Sequence, residues 1–279
     1  MRLQHVLVAG LAIVMFGCSK PVAGPTSSGK SPATVAPDSG APAGSKATSN
    51  SKANSEPAPE SEPGTPIPGP KGRIDGVVKF VGDEIPQSTI IPNGTDPQIC
   101  GAEMSKLDAV ISPESRGIRH VVLWLDNVEL PERYKPPTSH LVIDNLKCQF
   151  EPHAAVITVG STVQAKNSDE VYHTTHFYGD TNENPPLPEK GSLSPRYKVR
   201  RPGMMNVKCD KHGWMQAYVL VSKHPFHAVT DADGKFSIAG VPAGTYKLIV
   251  WHERFLKQQT DVSVNEDKTT TLELKYSDN

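Results

Sequence analysis

The sequence lacks a surplus of either charge. Its 279 residues include 29 Lys and Arg against 30 Asp and Glu, so the formal net charge is −1 and charge gives no support for nucleic-acid binding. A long helical period, a glycine-rich phosphate loop and a nucleophile elbow are also missing from the sequence. These absences argue against a helical protein, a nucleotide-binding protein and a serine hydrolase.

The N-terminal apolar run is short. It lies between Arg2 and Gly17-Cys18 and has the proportions of a secretory signal rather than of a bilayer-spanning helix. The small residue before a cysteine resembles the lipobox of bacterial lipoproteins. We therefore expect residues 1–18 to be a signal peptide with Cys18 lipidated, and the protein to be exported and membrane-anchored, facing the periplasm or the cell surface. An uncleaved anchor helix is the alternative.

Residues 19–72 contain no aromatic residue and few large aliphatic ones. Pro, Ser, Gly, Ala and Lys dominate this segment, which cannot bury enough apolar surface to offset the entropy lost on ordering. We expect a disordered linker that lets the folded part move away from the membrane.

Residues 73–279 read as an all-β chain. Short runs rich in Val, Ile, Thr and aromatic residues, such as GVVKFVG, AAVITVGSTVQAKN and TYKLIVWHE, are separated by Gly, Asn, Asp and Pro. This pattern predicts either two β-sandwiches or one elaborated sandwich.

The sequence has only four cysteines, and three remain if Cys18 is lipidated. If Cys209 is a metal thiolate, Cys100 and Cys148 are left as an even pair in an oxidising compartment, which favours a disulfide between them. A second metal site formed by Cys148 with His153 is the alternative.

The stretch KCDKHGWMQAY combines three kinds of metal-binding side chain at regular spacing. Cys209, His212 and Met215 supply a thiolate, an imidazole and a thioether. A type 1 copper site needs two imidazoles, one thiolate and a weak axial thioether. The second imidazole has to come from elsewhere, and NSDEVYHTTHFYG offers His173, with His176 as the alternative.

This block resembles the cupredoxin family, and its loop length is most similar to that of amicyanin. The resemblance extends over about residues 150–222 and lies in Asn167, in the histidine motif that starts at His173, and in Pro202-Gly203 ahead of Cys209. It implies a Greek-key cupredoxin-like domain, which we place at residues 73–222.

The resemblance also implies a ligand set and an activity. The four ligands would be His173, Cys209, His212 and Met215, holding one type 1 copper ion for one-electron transfer. In this family the loop histidine is the route to partners, so His212 would be the exit for electrons. Thr174 stands where the family usually has an Asn that joins the ligand loops.

The C-terminal segment, residues 223–279, resembles the carboxypeptidase regulatory-like domain, a small prealbumin-type sandwich. The resemblance lies in TDADGKF, which starts at Thr230, and in PAGTY, which starts at Pro242. Asp233-Gly234 suits a tight hairpin turn. Binding of a glycan by this fold would depend on Trp251 and Tyr246, for which a core role is the alternative.

These features together predict a lipid-anchored electron carrier rather than an enzyme. Its copper would exchange single electrons with envelope redox partners such as a c-type cytochrome. The alternative is a surface module that binds glycan or protein and whose copper is structural or stored. A multicopper oxidase or reductase is disfavoured because the sequence offers one ligand set.

Overall fold

The computed structural model describes residues 61–106 and 108–277, which are almost entirely β-strand. One short helix, α1 (Pro97–Cys100), lies between two strands. The strands are β1 (Ser61–Glu62), β2 (Lys71–Phe80), β3 (Thr89–Pro92), β4 (Glu103–Lys106), β5 (Val122–Asp126), β6 (Thr138–Leu146), β7 (Gln149–Glu151), β8 (Ala154–Thr158), β9 (Thr162–Asn167), β10 (His173–Thr174), β11 (His176–Tyr178), β12 (Pro186–Leu187), β13 (Tyr197–Lys198), β14 (Gly203–Lys208), β15 (Gln216–Ser222), β16 (His227–Val229), β17 (Lys235–Pro242), β18 (Gly244–His252), β19 (Leu256–Val264) and β20 (Thr269–Tyr276).

A seven-stranded sandwich contains the C-terminal part of the chain. Its sheets have the strand orders β16-β5-β18-β19 and β17-β2-β20. Apolar residues alternate along its strands, as Phe236 and Ile238 do on β17, and so point toward the opposite sheet. Its fully buried core includes residues of both sheets: Ile74, Val78, Phe80, Leu123, Leu125, Ile238, Leu248 and Val250.

The domain boundary expected at residue 222 does not agree with this topology. β2 is the central strand of one sheet of the seven-stranded sandwich, and β5 lies inside the other. Both strands come from the range that the sequence assigned to the copper domain, residues 73–222. The five strands after residue 222 cannot complete the two sheets by themselves, because β2 pairs with both β17 and β20 and β5 pairs with both β16 and β18.

The second sandwich, called here the ligand sandwich, is formed by the chain between β5 and β16, apart from β1, which precedes β2. Its sheets have the orders β1-β6-β9-β13, with β7 added on β6, and β11-β14-β15-β8. Because β5 and β16 pair with each other, with Trp124 opposite His227, the chain leaves the seven-stranded sandwich and returns to it at one place. Large buried side chains from both sheets fill the ligand sandwich: Ile143, Phe150, Val163, Phe177, Met205, Val207 and Val219.

Part of the segment 19–72, which the sequence predicts to be a disordered linker, forms regular structure from residue 61 onward. β1 pairs with β6, so that Ser61 lies opposite Ser139, and the Thr65 N–H donates to the Lys135 carbonyl at 2.7 Å. Ile67 packs against the core of the seven-stranded sandwich. The remainder of the predicted linker, residues 19–60, lies outside the described residues, as does Cys18.

An excursion from the seven-stranded sandwich covers one end of the ligand sandwich. This segment, called here the 89–106 hairpin, consists of the antiparallel strands β3 and β4 with α1 between them. Met104 and Ile91 pack against the core of the ligand sandwich. A disulfide between Cys100 and Cys148, with a Cα–Cα distance of 5.5 Å, joins the hairpin to the turn between β6 and β7.

The two sandwiches touch through a small apolar cluster around Val122, Ala154 and Leu220. Beside it, the His153 Nε2 lies 2.5 Å from the Glu253 carboxylate, which joins a turn of each sandwich. Within the described part of the chain, no helix has the length and hydrophobicity that crossing a bilayer requires.

Candidate metal centre

Two neighbouring connections bring the predicted ligands together. The connection between β14 and β15 carries Cys209, His212 and Met215, and the Met215 N–H closes a turn on the His212 carbonyl at 2.9 Å. His173 begins β10, a short strand held in place by β12. The loop residues and the strand residue therefore meet at one end of the ligand sandwich.

The donor atoms of three predicted ligands converge. The Cys209 sulfur lies 3.9 Å from the His173 Nδ1 and 3.6 Å from the His212 Nδ1. The two Nδ1 atoms are 2.9 Å apart. His173 and His212 are both 0% exposed, and Met215 is also fully buried in the same apolar cluster. His173, Cys209 and His212 form one of the described clusters able to hold a metal ion.

The surroundings of Cys209 favour the thiolate. Burial by itself raises the pKa of Cys209, but the contacts of its sulfur with the rings of His173 and His212 and the hydrogen bonds that it accepts from the nearby backbone outweigh burial and lower the pKa to about 5. The thiolate, rather than the thiol, is the form that binds metals. The site thus presents one negative sulfur and two ring nitrogens to a single small space.

Thr174 joins the two segments that carry the ligands. Its hydroxyl accepts the Asp210 N–H at 2.9 Å and lies 3.9 Å from the Cys209 sulfur. The threonine therefore connects the two segments that carry the ligands.

A buried carboxylate holds the first imidazole. The Nε2 of His173 lies 3.1 Å from the Asp169 carboxylate, and since a carboxylate can only accept, the nitrogen donates. Asp169 is fixed in turn by its own N–H, which donates to the Asn167 side chain at 2.9 Å. Asn167 is fully buried and also donates to the Leu187 carbonyl, so it shapes the loop that leads to His173.

The 89–106 hairpin supplies a carboxylate for the second imidazole. The Nε2 of His212 lies 3.1 Å from Asp96, whose carboxylate also pairs with the Lys211 ammonium at 2.6 Å. The hydrogen bond from Lys211 lowers the pKa of Asp96, with burial as a weaker opposing effect. Trp214 packs beside His212 with ring centroids 5.1 Å apart and donates its indole N–H to the Cys148 carbonyl at 2.9 Å.

His212, which the resemblance makes the exit for electrons, has no exposed edge. This imidazole is 0% exposed because the 89–106 hairpin and Trp214 cover it. The length of the ligand loop predicts that His212 reaches the site. It gives no information about the 89–106 hairpin, which is distant in sequence and covers the ring.

His176, the alternative upstream ligand, lies outside the cluster. Its ring stacks on Tyr178 with centroids 3.7 Å apart, and its Nδ1 is 3.5 Å from the Asp210 carboxylate. Strand pairing explains the difference, because His173 belongs to β10, which pairs with β12, and His176 to β11, which pairs with β14.

The alternative metal site at Cys148 and His153 is not formed. Cys148 is bonded to Cys100, the pairing expected from cysteine parity, whereas Cys209 is free and buried. His153 instead bonds to Glu253 and packs against the edge of Tyr218.

Asp96 and Asp169 contact the two imidazoles, and neither was predicted from the sequence. Asp169 lies four residues before His173 in an irregular loop, and this spacing has no periodic meaning outside a helix. For Asp96 an indirect indication existed, since it precedes Cys100 by four residues and the expected disulfide brings that region to Cys148.

The comparison with protein families concerns the C-terminal part of the chain. Residues 212–277 match the carboxypeptidase regulatory-like domain family. The match starts in the ligand loop and includes β15 to β20, whereas the two central strands β2 and β5 lie outside it. The turn expected within it is present, because the Asp231 side chain accepts the N–H groups of Asp233 and Lys235.

The solved structures that this chain resembles include cupredoxins. One is a Cu(I) form of an amicyanin variant, with 22% identity and a TM-score of 0.25 over 30% of this chain and 82% of that chain. Another is a purple cupredoxin from Nitrosopumilus maritimus, with 24% identity and a TM-score of 0.25 over 30% of this chain and 98% of that chain. A copper-containing nitrite reductase from Thermus scotoductus SA-01 also matches, with 20% identity and a TM-score of 0.26 over 34% of this chain and 25% of that chain. No curated protein matches the chain. The case for the metal centre therefore rests on its own geometry.

Proposed function

We propose that the protein binds one copper ion through His173, Cys209, His212 and Met215 and transfers single electrons. The observation that supports this proposal is the convergence of the two Nδ1 atoms, 2.9 Å apart, beside the Cys209 sulfur. Because each Nε2 donates to a carboxylate, both Nδ1 atoms direct lone pairs into one space. A shared cation relieves the repulsion between these lone pairs.

The mixture of donors favours copper over other metals. Thiolate and thioether suit Cu(I), and imidazoles suit Cu(II), so one fixed set serves both oxidation states. When bound, copper supplies the one-electron couple. The protein's part is to keep Cys209 as a thiolate, to hold the imidazoles by their Nε2 atoms and to exclude water from a site whose histidines are fully buried.

The visible spectrum tests the ligand set. Loading with Cu(II) should give one equivalent of copper and an intense thiolate-to-copper charge-transfer band. Cys209→Ser should abolish the band and His173→Ala should remove or strongly alter it. The matched control His176→Ala should leave it unchanged, because that ring lies outside the cluster. Loss of the band in the control but not in His173→Ala would reject this assignment.

The setting of the protein is part of the proposal. The N-terminal lipobox-like sequence supports a lipid-anchored, exported protein whose electron partner is a small redox protein such as a c-type cytochrome. Labelling with a fatty acid, with Cys18→Ser as control, tests the anchor. Stopped-flow mixing with a reduced cytochrome tests the electron transfer.

The burial of His212 favours a second candidate function, a copper store or a structural copper site. A carrier usually exposes a ligand edge, whereas both imidazoles here are 0% exposed. The two functions differ in the response to reduction. A carrier keeps its copper in both oxidation states and is reduced rapidly, whereas a store is reduced slowly or releases copper to a Cu(I) chelator.

A further inference from the structure

The carboxylate that holds His173 is itself held by the disulfide region. One oxygen of Asp169 accepts the Lys147 N–H at 2.7 Å, and the other accepts the Cys148 N–H at 2.8 Å. The latter oxygen is the one that bonds to the Nε2 of His173. Since Asp169 is buried, its orientation is set by these backbone groups rather than by water.

Asp96, whose carboxylate holds His212, lies in the turn that ends at Cys100, the other cysteine of the same disulfide. The Asp96 carbonyl accepts the Cys100 N–H at 2.9 Å, which closes the turn of α1 on the residue that reaches His212. Asp96 has a φ of 52°, a left-handed conformation that is uncommon for a residue with a side chain. The disulfide keeps this turn against the ligand sandwich.

We infer that Asp96 and Asp169 are positioning residues of the copper centre and that the Cys100–Cys148 disulfide couples the two. This inference rests on the proposed copper function. Each carboxylate accepts from an Nε2 and thereby leaves the corresponding Nδ1 free to face Cys209. Partners of this kind fix the tautomer and orientation of a metal-binding imidazole and increase its basicity.

The two carboxylates also have an electronic consequence. A negative charge hydrogen-bonded to an imidazole makes that imidazole a stronger donor, and stronger donors stabilise Cu(II) more than Cu(I). Removing either charge should therefore raise the reduction potential. Asp96 also closes the site, because its hairpin covers His212.

Asp96→Asn and Asp169→Asn test the inference, with Asp210→Asn as the matched control. Asparagine keeps the shape and an accepting oxygen but removes the charge. Asp210 follows Cys209 directly and contacts the non-ligand His176, so its variant measures the general effect of losing a nearby negative charge. We expect copper affinity to fall about 10–100-fold in the two positioning variants and to change little in the control.

Two further measurements separate positioning from a merely structural role. The potential should rise more in Asp96→Asn and Asp169→Asn than in Asp210→Asn. In the metal-free protein, ¹⁵N NMR should find His173 and His212 protonated at Nε2, and Asp96→Ala should lose this preference at His212 alone.

The outcomes are distinguishable from failure of the proposed function. If the wild-type protein binds no copper, the copper proposal fails, but the metal-free NMR result still tests the positioning role. If a positioning variant keeps wild-type affinity, potential and tautomer while the wild-type protein binds copper, that carboxylate has no positioning role. Circular dichroism of each variant identifies any loss of fold, in which case Asp96→Glu and Asp169→Glu replace the Asn variants and should weaken affinity by misplacing the same charge.

Discussion

Thr174 illustrates how a single hydroxyl organises the centre. It follows His173 in β10, and its hydroxyl reaches the loop that carries Cys209. A hydroxyl can donate one hydrogen bond and accept others at the same time, so it can accept from the Asp210 N–H while donating toward the sulfur. The Thr174 hydroxyl thus connects the two ligand segments, where an asparagine amide was expected to do so.

Thr174→Val should destabilise the metal-free protein by about 1 kcal/mol, because valine has nearly the same shape but leaves the Asp210 N–H without its partner. Copper should also bind less tightly, since the two ligand segments are no longer joined. Urea unfolding and copper competition measure these effects. Thr174→Ser keeps the hydroxyl and should resemble the wild type, so equal losses in the two variants would contradict the argument.

At the residue scale the sequence predicts donors better than it predicts their surroundings. Local spacing is sufficient to bring Cys209 and His212 together, because a short connection between paired strands carries both. It is not sufficient for Asp96, whose approach to His212 depends on a hairpin and a disulfide far away in the chain. The buried state of His212 follows from that long-range contact.

The turn between β16 and β17 shows how an element is fixed by its backbone. Gly234 has a φ of 75°, and its N–H donates to the Asp231 carbonyl at 3.0 Å. The turn also lies against β2, since a Cβ on Gly234 would come within 2.3 Å of the Val78 carbonyl oxygen. Glycine is therefore needed here both for conformation and for space.

Gly234→Ala should lower the free energy of unfolding by at least about 1–3 kcal/mol, the range for a side chain forced into this backbone conformation. The clash with the β2 backbone adds to this loss. Chemical denaturation measures it. Gly94→Ala is the matched control, because a Cβ there meets no atom within 4 Å. Comparable losses at the two positions would count against the close approach.

Short β-rich apolar runs predict the existence of β2 and β5 but not the sheet to which each belongs. Either sandwich could accept such a run. Pairing partners decide the matter, since β2 lies between β17 and β20 and β5 lies between β16 and β18. For this reason the β-rich character of the chain is predictable, whereas its division into domains is not.

The seven-stranded sandwich combines strands from before and after the ligand sandwich, so the C-terminal strands should not fold alone. A fragment of residues 223–279 lacks both central strands and should show a disordered circular dichroism spectrum, whereas residues 61–279 should unfold cooperatively. Cooperative unfolding of the short fragment would show that β2 and β5 are dispensable.

Three histidines should make the metal-free molecule sensitive to acid. Burial lowers the pKa of His120 to about 3 and the pKa values of His227 and His252 to about 4. In the unfolded chain these groups titrate near 6.5. Between these values the unfolded state binds protons that the folded state does not, so their contribution to stability is complete above about pH 6.5 and is lost as the pH falls toward 4.

His252→Asn should make this loss of stability shallower. Asparagine retains an acceptor for the Arg254 N–H but cannot titrate. Because His252 is 2% exposed, the slope of unfolding free energy against pH between about 6.5 and 4 should decrease by up to about 1.4 kcal/mol per pH unit. Urea unfolding at several pH values gives the slope, and parallel curves for the variant and the wild type would refute the assignment.

The insertion of the ligand sandwich between β5 and β16 also fixes the order in which the molecule can assemble. During synthesis, or on emergence from a translocation channel, β2 and β5 become available long before β16 to β20, which are their partners. The ligand sandwich acquires most of its strands in the interval and can close first. Until the last strand arrives, two apolar central strands have unpaired edges, which are sites of aggregation. The ligand sandwich can therefore be complete before the seven-stranded sandwich, and holding chaperones should bind the unpaired strands β2 and β5 rather than the ligand loop.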